Sequence, residues 1–153
     1  MGSPPLLYQE GIRRGDMQRT FTILKPDTVK AGNTGLVIDR LIKEGFLIRG
    51  AKLMHLTKAQ AEGFYHVHRE RPFFPDLVKF MTESPVLVMV LEAEGAIEKL
   101  RKVMGATDPG KAEAGTIRKQ FGTNIERNAI HGSDGPETAA YEISYFFNHL
   151  ELV

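Results

Sequence analysis

The sequence has no cysteine at any of its 153 positions. It therefore cannot form a disulfide framework, a thiolate zinc site or a thiol nucleophile. It also lacks an apolar run near the roughly 20 residues that a membrane-spanning helix needs, and the uninterrupted apolar stretch of a signal peptide. These absences favour a cytoplasmic protein that acts without a membrane.

An excess of charge of either sign is also missing. Lysine and arginine total 20 against 19 aspartates and glutamates, which gives a net charge of +1. No overall attraction to nucleic acid follows from this balance, and no basic stripe is interleaved with aromatic residues. We expect no specific nucleic-acid partner, and any basic group that matters for function must act locally.

The length allows one domain with a full hydrophobic core, but not two. Residues 1–16 contain Pro4 and Pro5 and little apolar material, whereas a strand pattern opens at Met17. We interpret residues 1–16 as a flexible extension or tag-like segment, and residues 17–153 as the single folded domain.

Strand patterns and helix patterns alternate along this domain. Alternating or continuous apolar residues predict four strands. Gly50 marks a bend in the second. The third is apolar enough to be covered on both faces of the sheet. These strands are expected at residues 19–24, 46–56, 86–91 and 128–130. The alternation predicts an α/β or α+β sandwich and leaves the strand order open.

Helices are expected between the strands, from apolar periodicity and capping signals. Asn33 and Thr34 cap the first, and a capping box at residues 57–60 starts the second. The apolar face of the first is predicted to contain Leu36, Val37, Leu41 and Ile42, and the closing helix, which begins at Pro136, to bury Ala140, Ile143 and Phe147. Two further helices are expected at residues 73–81 and 96–104.

A long loop is predicted at residues 105–115, which are rich in glycine, proline and alanine. Loops of this length inside compact domains are more often functional than idle. Its start matches the first part of a P-loop, but Ala112 stands where that motif needs serine or threonine, so we reject a P-loop.

His131 is the candidate nucleophile, expected at the end of the short last strand, where a fixed backbone presents a side chain. Gly132 has no side chain to block a group that approaches His131. Residues 133–135 lead into a helix N-terminus, which favours anions. A neutral histidine can attack phosphorus, and Glu142 is placed to fold back and fix its tautomer. A lone histidine more often forms only local hydrogen bonds, so this prediction depends on its surroundings.

Three cations support a phosphate site around His131. Lys25 follows the first strand, Arg101 lies on a helix, and Arg118 follows the long loop. Spacing alone does not bring them together, and single surface cations are usually solvated. His66 and His68 have no third ligand at a suitable spacing, so we predict no metal site held by the protein.

Several blocks of the sequence together resemble the nucleoside diphosphate kinase family. Residues 128–134, Asn-Ala-Ile-His-Gly-Ser-Asp, resemble that family's active-site signature. Four further blocks match in order, at residues 25–27, 71–75, 106–109 and 115–118. The resemblance covers nearly the whole chain from Met17 onward.

The resemblance implies a ferredoxin-like α+β sandwich, with a four-stranded antiparallel sheet and helices packed on one face. It implies that His131 is phosphorylated in a ping-pong reaction between nucleoside tri- and diphosphates, with Glu142 and Ser133 orienting it and Lys25 assisting catalysis. The Mg²⁺ ion is expected to be bound to the nucleotide, and the protein to be a homo-tetramer or homo-hexamer. The positions that match phosphate and ribose contacts are Lys25, Tyr65, Arg101, Thr107, Arg118 and Asn128, and those that match base contacts are Phe73, Leu77 and Ile125.

Some positions depart from the family pattern. Thr28 stands where glycine is usual, Asp108 replaces asparagine, Ala114 replaces proline and Gly135 replaces serine. These departures concern loop rigidity and assembly contacts more than chemistry. Two alternatives remain open: a module that binds a nucleotide or RNA without turnover, and a degenerate family member kept as an oligomeric scaffold.

Overall fold

The computed structural model describes residues 17–153, and the predicted extension at residues 1–16 lies outside them. Within the described range no helix is long and apolar enough to cross a membrane. The four strands of this range are β1 (Met17–Leu24), β2 (Leu47–Met54), β3 (Val86–Glu94) and β4 (Ile130–Gly132). Its seven α-helices are α1 (Pro26–Lys30), α2 (Thr34–Lys43), α3 (Lys58–Phe64), α4 (Phe74–Met81), α5 (Ala96–Met104), α6 (Ile117–Phe121) and α7 (Pro136–Phe146).

The strands form one antiparallel sheet in the order β2-β3-β1-β4. The sequence left this order open, and the ferredoxin-like sandwich implied by the resemblance is confirmed. The short strand β4 lies at one edge and pairs with β1, so that His131 is opposite Ile23. The fold thereby brings β4 back beside the first strand.

Helices cover both faces of the sheet, not one face as the resemblance implied. Phe21 and Val88 belong to a buried cluster with α3, α4 and α7, whereas Met89 and Leu91 belong to a second cluster with α2, α5 and α6. The reason is that β3 is apolar at successive positions, so each face needs a cover. The prediction that this strand is covered on both faces is confirmed.

Local signals with their own hydrogen bonds were predicted correctly. The register between β2 and β3 shifts between Ile48 and Gly50, where a bend was expected. A Cβ at Gly50 would lie only 2.9 Å from the Leu152 side chain, so the bend also admits the closing segment of the chain. Thr57 and Gln60 form the predicted capping box, with bonds of 3.1 and 2.9 Å.

Other expectations about the helices were wrong. Helices α1 and α6 were not predicted, because five residues are too few to show a helical period. Leu36 and Ile42 of α2 are 57% and 54% exposed, so only Val37 and Leu41 of the predicted apolar face are buried. Ala140 of α7 is exposed as well, and the neighbouring Ala139 faces the core instead.

The last strand is shifted by two residues from its predicted position. It runs from Ile130 to Gly132, so His131 lies within the strand and not at its end. The cause is Ala129, whose φ of 74° is incompatible with an extended backbone. Pairing with β1 therefore starts only at Ile130.

Candidate active site

His131 is held by the sheet and by aromatic rings. Its carbonyl oxygen accepts a hydrogen bond of 2.7 Å from Thr22 Oγ1 on β1. The ring centroids of Phe64 and Tyr65 lie 5.4 and 6.3 Å from the imidazole, both with edge-to-face geometry. The side chain is nevertheless 20% exposed. The ring plane is therefore fixed while part of the ring remains accessible to a substrate.

A carboxylate and a hydroxyl orient the imidazole. His131 Nε2 lies 2.8 Å from Glu142 Oε1, and Ser133 Oγ donates a hydrogen bond of 2.7 Å to the same oxygen. Because the carboxylate can only accept, Nε2 carries the proton and Nδ1 keeps its lone pair. Nδ1 is therefore the atom that is available as a nucleophile.

The start of α7 explains how Glu142 reaches the strand. Pro136 occupies the first helical turn, and Thr138 Oγ1 accepts hydrogen bonds of 3.1 and 3.0 Å from the backbone N–H groups of Asp134 and Gly135. These bonds satisfy N–H groups that a helix start leaves without partners. The turn directs α7 back over the sheet, where it packs against β1, and this places Glu142 beside His131.

Lys25 is a buried cation that links three parts of the chain. Its Nζ donates a hydrogen bond of 2.8 Å to Asn128 Oδ1, and Asn128 Nδ2 donates one of 3.1 Å to the Thr107 carbonyl. Burial, with a smaller contribution from the Arg118 charge, lowers the pKa of Lys25 to about 8. The end of β1, the long loop and the segment before β4 therefore meet at one positive centre.

Arg118 is the second buried cation, and it lies in α6. It donates hydrogen bonds of 2.8 and 3.1 Å to the carbonyls of Ile130 and Gly105. Burial and then the Arg101 charge lower its pKa to about 10. Within residues 17–153, neither Lys25 nor Arg118 forms an ion pair with a carboxylate. Buried charges without a partner are costly, so this pair of cations suits an anionic ligand.

Arg101 lies closer to solvent than the other two cations. Its Nη1 is 2.9 Å from Asp134 Oδ1, and both side chains are well exposed, so this ion pair is weak. Arg101 borders a cavity of about 650 Å³ between α5 and the long loop. Lys102 and Lys111 also line this cavity. Sequence reasoning missed these two, because nothing distinguishes them from solvated surface lysines.

The residues predicted to hold a base form a more exposed group. Phe73, just before α4, is 48% exposed, and Leu77 lies one turn further along the helix and is partly buried. Ile125 is 63% exposed on a separate loop, and its pairing with Phe73 across a base stays a prediction. The residues predicted to bind phosphate are thus brought together by contacts, whereas those predicted to bind the base are not.

His68 and Tyr65 connect the two groups. The His68 ring lies 5.6 Å from Phe73 and 6.3 Å from Tyr65, measured between centroids. His66 and His68 were expected to be a surface pair. His66 is exposed, but His68 is partly buried, and its ring contacts were not predicted. The Tyr65 hydroxyl is buried without a partner among the described residues, and burial, aided by Glu142, raises its pKa. It therefore stays protonated as a hydrogen-bond donor.

Gly132 is required for a different reason from the one expected. A Cβ at this position would lie 2.6 Å from Met104 Sδ and 3.1 Å from Leu100 Cδ2. The missing side chain therefore allows β4 to pack on α5. The expected reason was access for a substrate, but a side chain at this position would point toward α5.

Within residues 17–153, no three histidine, aspartate or glutamate side chains come together in a way that could hold a metal ion. The carboxylate next to His131 belongs to Glu142, one oxygen of which already accepts from both His131 and Ser133. The donors around the buried cations are lysine, arginine and amide groups. The chemistry of this donor set suits phosphate oxygens, not a divalent cation.

Comparisons with known proteins agree with this geometry. The family model described as "Nucleoside diphosphate kinase" matches residues 18–152. The nucleoside diphosphate kinase of Geotalea uraniireducens is 60% identical over 137 residues, which cover 90% of this chain and 100% of the relative. That of Geobacter sulfurreducens is 59% identical over the same coverage.

Solved structures show the same similarity. The nucleoside diphosphate kinase of Aquifex aeolicus superposes with a TM-score of 0.88 at 48% identity, covering 90% of this chain and 99% of that one. A halophilic nucleoside diphosphate kinase from Halobacterium salinarum, in complex with CDP, gives a TM-score of 0.86 at 40% identity, covering 89% and 91%.

Proposed function

The chain belongs to the nucleoside diphosphate kinase family, and from this premise we propose that it transfers the γ-phosphoryl group of a nucleoside triphosphate to a nucleoside diphosphate through phosphorylated His131. The observation that carries the proposal is the histidine oriented by Glu142, beside the buried cations Lys25 and Arg118. A binding module or a scaffold would have no use for that combination.

The first half of the reaction forms a bond from His131 Nδ1 to the γ-phosphorus and breaks the bond from that phosphorus to the bridging oxygen. The nucleoside diphosphate leaves with the bonding electrons. The imidazole gains positive charge as the new bond forms, and the Glu142 carboxylate, 2.8 Å from Nε2, stabilises it. The proton stays on Nε2, so no separate general base is needed.

The second half runs the same steps in reverse with another nucleoside diphosphate as acceptor. Because donor and acceptor have the same phosphate chemistry, one site serves both. Positioning and charge compensation supply most of the catalysis in phosphoryl transfer. We assign charge compensation to Lys25, Arg101 and Arg118. We assign further phosphate and ribose contacts to Tyr65, Thr107 and Asn128.

The substrate is proposed to be the magnesium complex of the nucleotide. The ion supplies charge neutralisation on the phosphate oxygens when it is bound there. The amide and cationic side chains around His131 support this assignment, because they suit the phosphates and leave the ion to be carried by them. The protein's own residues bind and orient the phosphate chain.

Base contacts are proposed for Phe73, Leu77 and Ile125. Stacking on an aromatic face and contact with aliphatic side chains need no particular pattern of donors and acceptors. The exposure of Phe73 and Ile125 supports a base held between apolar surfaces at the rim of the site. We therefore propose that all common bases are accepted.

We also propose that the chain is a cytoplasmic homo-oligomer, either a tetramer or a hexamer. Its support is an edge strand, β2, that carries Leu53 at 67% exposure. Leu36 and Ile42 of α2 add further exposed apolar surface. An unpaired sheet edge can pair with another chain, and contiguous exposed apolar surface marks interaction sites. Multi-angle light scattering would give the number of subunits.

The test of the function is labelling with γ-labelled ATP and magnesium, a quench without acid, and a chase with GDP. We expect label on the protein, loss of that label in acid, and its transfer to GDP. His131→Gln should abolish all three, and His66→Gln, a matched exposed histidine, should abolish none. Folded wild-type protein without label would contradict the proposal and favour a nucleotide-binding module or a scaffold.

A further inference from the structure

Ala129, the residue immediately before β4, has a strained backbone. Among residues 17–153 it is the one residue other than glycine with a positive φ, at 74°. The Ile130 N–H donates a hydrogen bond of 2.9 Å to the Asn128 carbonyl, which closes a three-residue γ-turn centred on Ala129. Ala129 is fully buried. Such a conformation persists only where the surrounding structure holds it.

Three hydrogen bonds from one short segment hold this turn. Asp27 Oδ2 accepts a bond of 3.0 Å from the Ala129 N–H. The Ala129 carbonyl accepts one of 2.9 Å from Thr28 Oγ1 and another of 2.9 Å from the Lys25 N–H. The N–H and the carbonyl of Ala129 are therefore both held by residues 25–28.

Helix α1 explains how these side chains reach the turn. It starts at Pro26, immediately after β1, and turns Asp27 and Thr28 back toward β4. Thr28 is 2% exposed, and its backbone N–H is bonded to the Lys25 carbonyl at 3.0 Å. Its hydroxyl is therefore committed to Ala129 and is not a solvated surface group.

The turn separates two groups of the proposed active site. Before it, the Asn128 amide joins Lys25 Nζ to the Thr107 carbonyl. After it, β4 begins and carries His131. A change in the backbone at Ala129 would move the amide and the histidine relative to each other.

We infer that Asp27 and Thr28 are positioning residues for phosphoryl transfer, which they assist by holding the γ-turn at Ala129. The inference rests on the proposed function. Neither side chain touches the reacting atoms in this arrangement. They act through the backbone that sets the position of His131 relative to the phosphate contacts.

The test compares Thr28→Val, which removes the hydroxyl at similar volume, with Thr28→Ser, which keeps it. Thr28→Val should slow the single-turnover phosphorylation of His131 by ATP and magnesium about tenfold, because transfer demands closer alignment than binding does. The Kd of this variant for the nucleotide should change less than about threefold, because ground-state binding depends less on the position of His131 than transfer does. Thr28→Ser should stay within about twofold of the wild-type rate.

The Ala129→Gly background shows whether the effect passes through the turn. Glycine adopts a positive φ without strain, so the turn needs less support there. In that background, Thr28→Val should cost about threefold or less. Exchange of the Ala129 amide proton, followed by NMR, should be faster in Thr28→Val than in the wild type.

Thr82→Val is the matched control, because Thr82 Oγ1 also donates to a backbone carbonyl, that of Val78, at 2.8 Å. It should leave the phosphorylation rate unchanged. The inference is overturned if Thr28→Val phosphorylates at the wild-type rate, if Thr28→Ser is equally slow, or if the loss is as large in the Ala129→Gly background. If the wild type itself takes no label, the proposed function fails, and the amide exchange alone reports whether Thr28 holds the γ-turn at Ala129.

Discussion

The half of the site assigned to the phosphates and the half assigned to the base differ in burial and in hydrogen bonding. Lys25 and Arg118 are each 7% exposed, and Lys25 Nζ and the two Nη atoms of Arg118 are bonded to amide or carbonyl oxygens. Phe73 and Ile125 are 48% and 63% exposed, and the Phe73 ring packs on the ring of His68. One half is fixed before a substrate binds, whereas the other is an open apolar rim.

This difference separates catalysis from recognition. Fixed charges aimed at a reacting phosphate stabilise the transition state without a reorganisation cost. An apolar rim contributes binding that is nearly the same in the ground state and in the transition state, so it affects KM more than kcat. An enzyme that accepts many bases needs strict geometry only at the phosphates.

The largest effect is expected from Lys25→Met. The value of kcat/KM should fall about 10²- to 10³-fold, because one buried charge on the phosphates is lost. The melting temperature should stay the same or rise, because burial lowers the pKa of Lys25 and so makes its charge costly to the fold. Steady-state kinetics and thermal unfolding at pH 7 measure both quantities.

Lys119→Met is the control for this change, since Lys119 is exposed on α6. It should alter neither quantity. A strong loss of stability in Lys25→Met, with activity retained, would contradict the assignment of Lys25 to the phosphates.

The next largest effect is expected from Glu142→Gln. The glutamine still accepts from His131 Nε2 but no longer stabilises the positive ring. The single-turnover phosphorylation rate should fall about 10- to 100-fold, the range expected for losing one hydrogen bond to a charged group. Glu137→Gln, on the exposed side of the same helix, should have no effect. A wild-type rate in Glu142→Gln would show that the ring needs no negative charge beside it.

Alkaline pH should affect the phosphate half selectively. Lys25, with a pKa of about 8 in the nucleotide-free protein, should lose its proton between pH 7 and pH 9, and kcat/KM should fall about tenfold over that interval. Between pH 8 and 10.5 the unfolded lysine binds more protons than the folded one, so its contribution to the free energy of unfolding rises there.

A pH profile of kcat/KM, together with urea unfolding at each pH, measures these two trends. A fall in kcat/KM together with a rise in the free energy of unfolding is the result expected of a functional lysine whose pKa is lowered by burial. A value of kcat/KM that stays flat up to pH 10 would contradict the predicted role of Lys25.

A smaller effect is expected at the base half from Phe73→Ala. The KM for nucleotides should rise about fivefold, within the range for base stacking on an aromatic ring, and kcat should change less than about twofold. Kinetics with four different nucleoside diphosphates should show the same direction for each. Leu150→Ala, at another exposed apolar position, is the control. A fall in kcat equal to the rise in KM would remove the distinction between the two halves.

The smallest effect is expected from Glu83→Gln, next to the loop that carries Ile125. Arg127 binds Glu83 through two bonds of 2.8 and 3.1 Å and lies 4.7 Å above the Phe80 ring. Because the pair is largely exposed, its loss should change KM by less than about threefold. A change of tenfold or more, measured in the same assay, would show that the base half is held as firmly as the phosphate half.

The parts of the fold that were predicted correctly have short-range causes. The capping box at Thr57 and the bend at Gly50 depend on a few neighbouring residues, and the apolar run of β3 predicts a strand covered on both faces. Helices α1 and α6 were missed because five residues show no period. His131 was placed at a strand end because the positive φ of Ala129 leaves no mark in the sequence.

Residue types in a fixed order were enough to identify the family, the number of strands and His131 as the residue of interest. The hydrogen bonds that join Lys25, Asn128 and Thr107 into one group could not be read from the sequence. Nor could the contacts of α1 with Ala129. These contacts join positions that are far apart in the chain, and the pairing of β4 with β1 is what brings them within hydrogen-bonding distance.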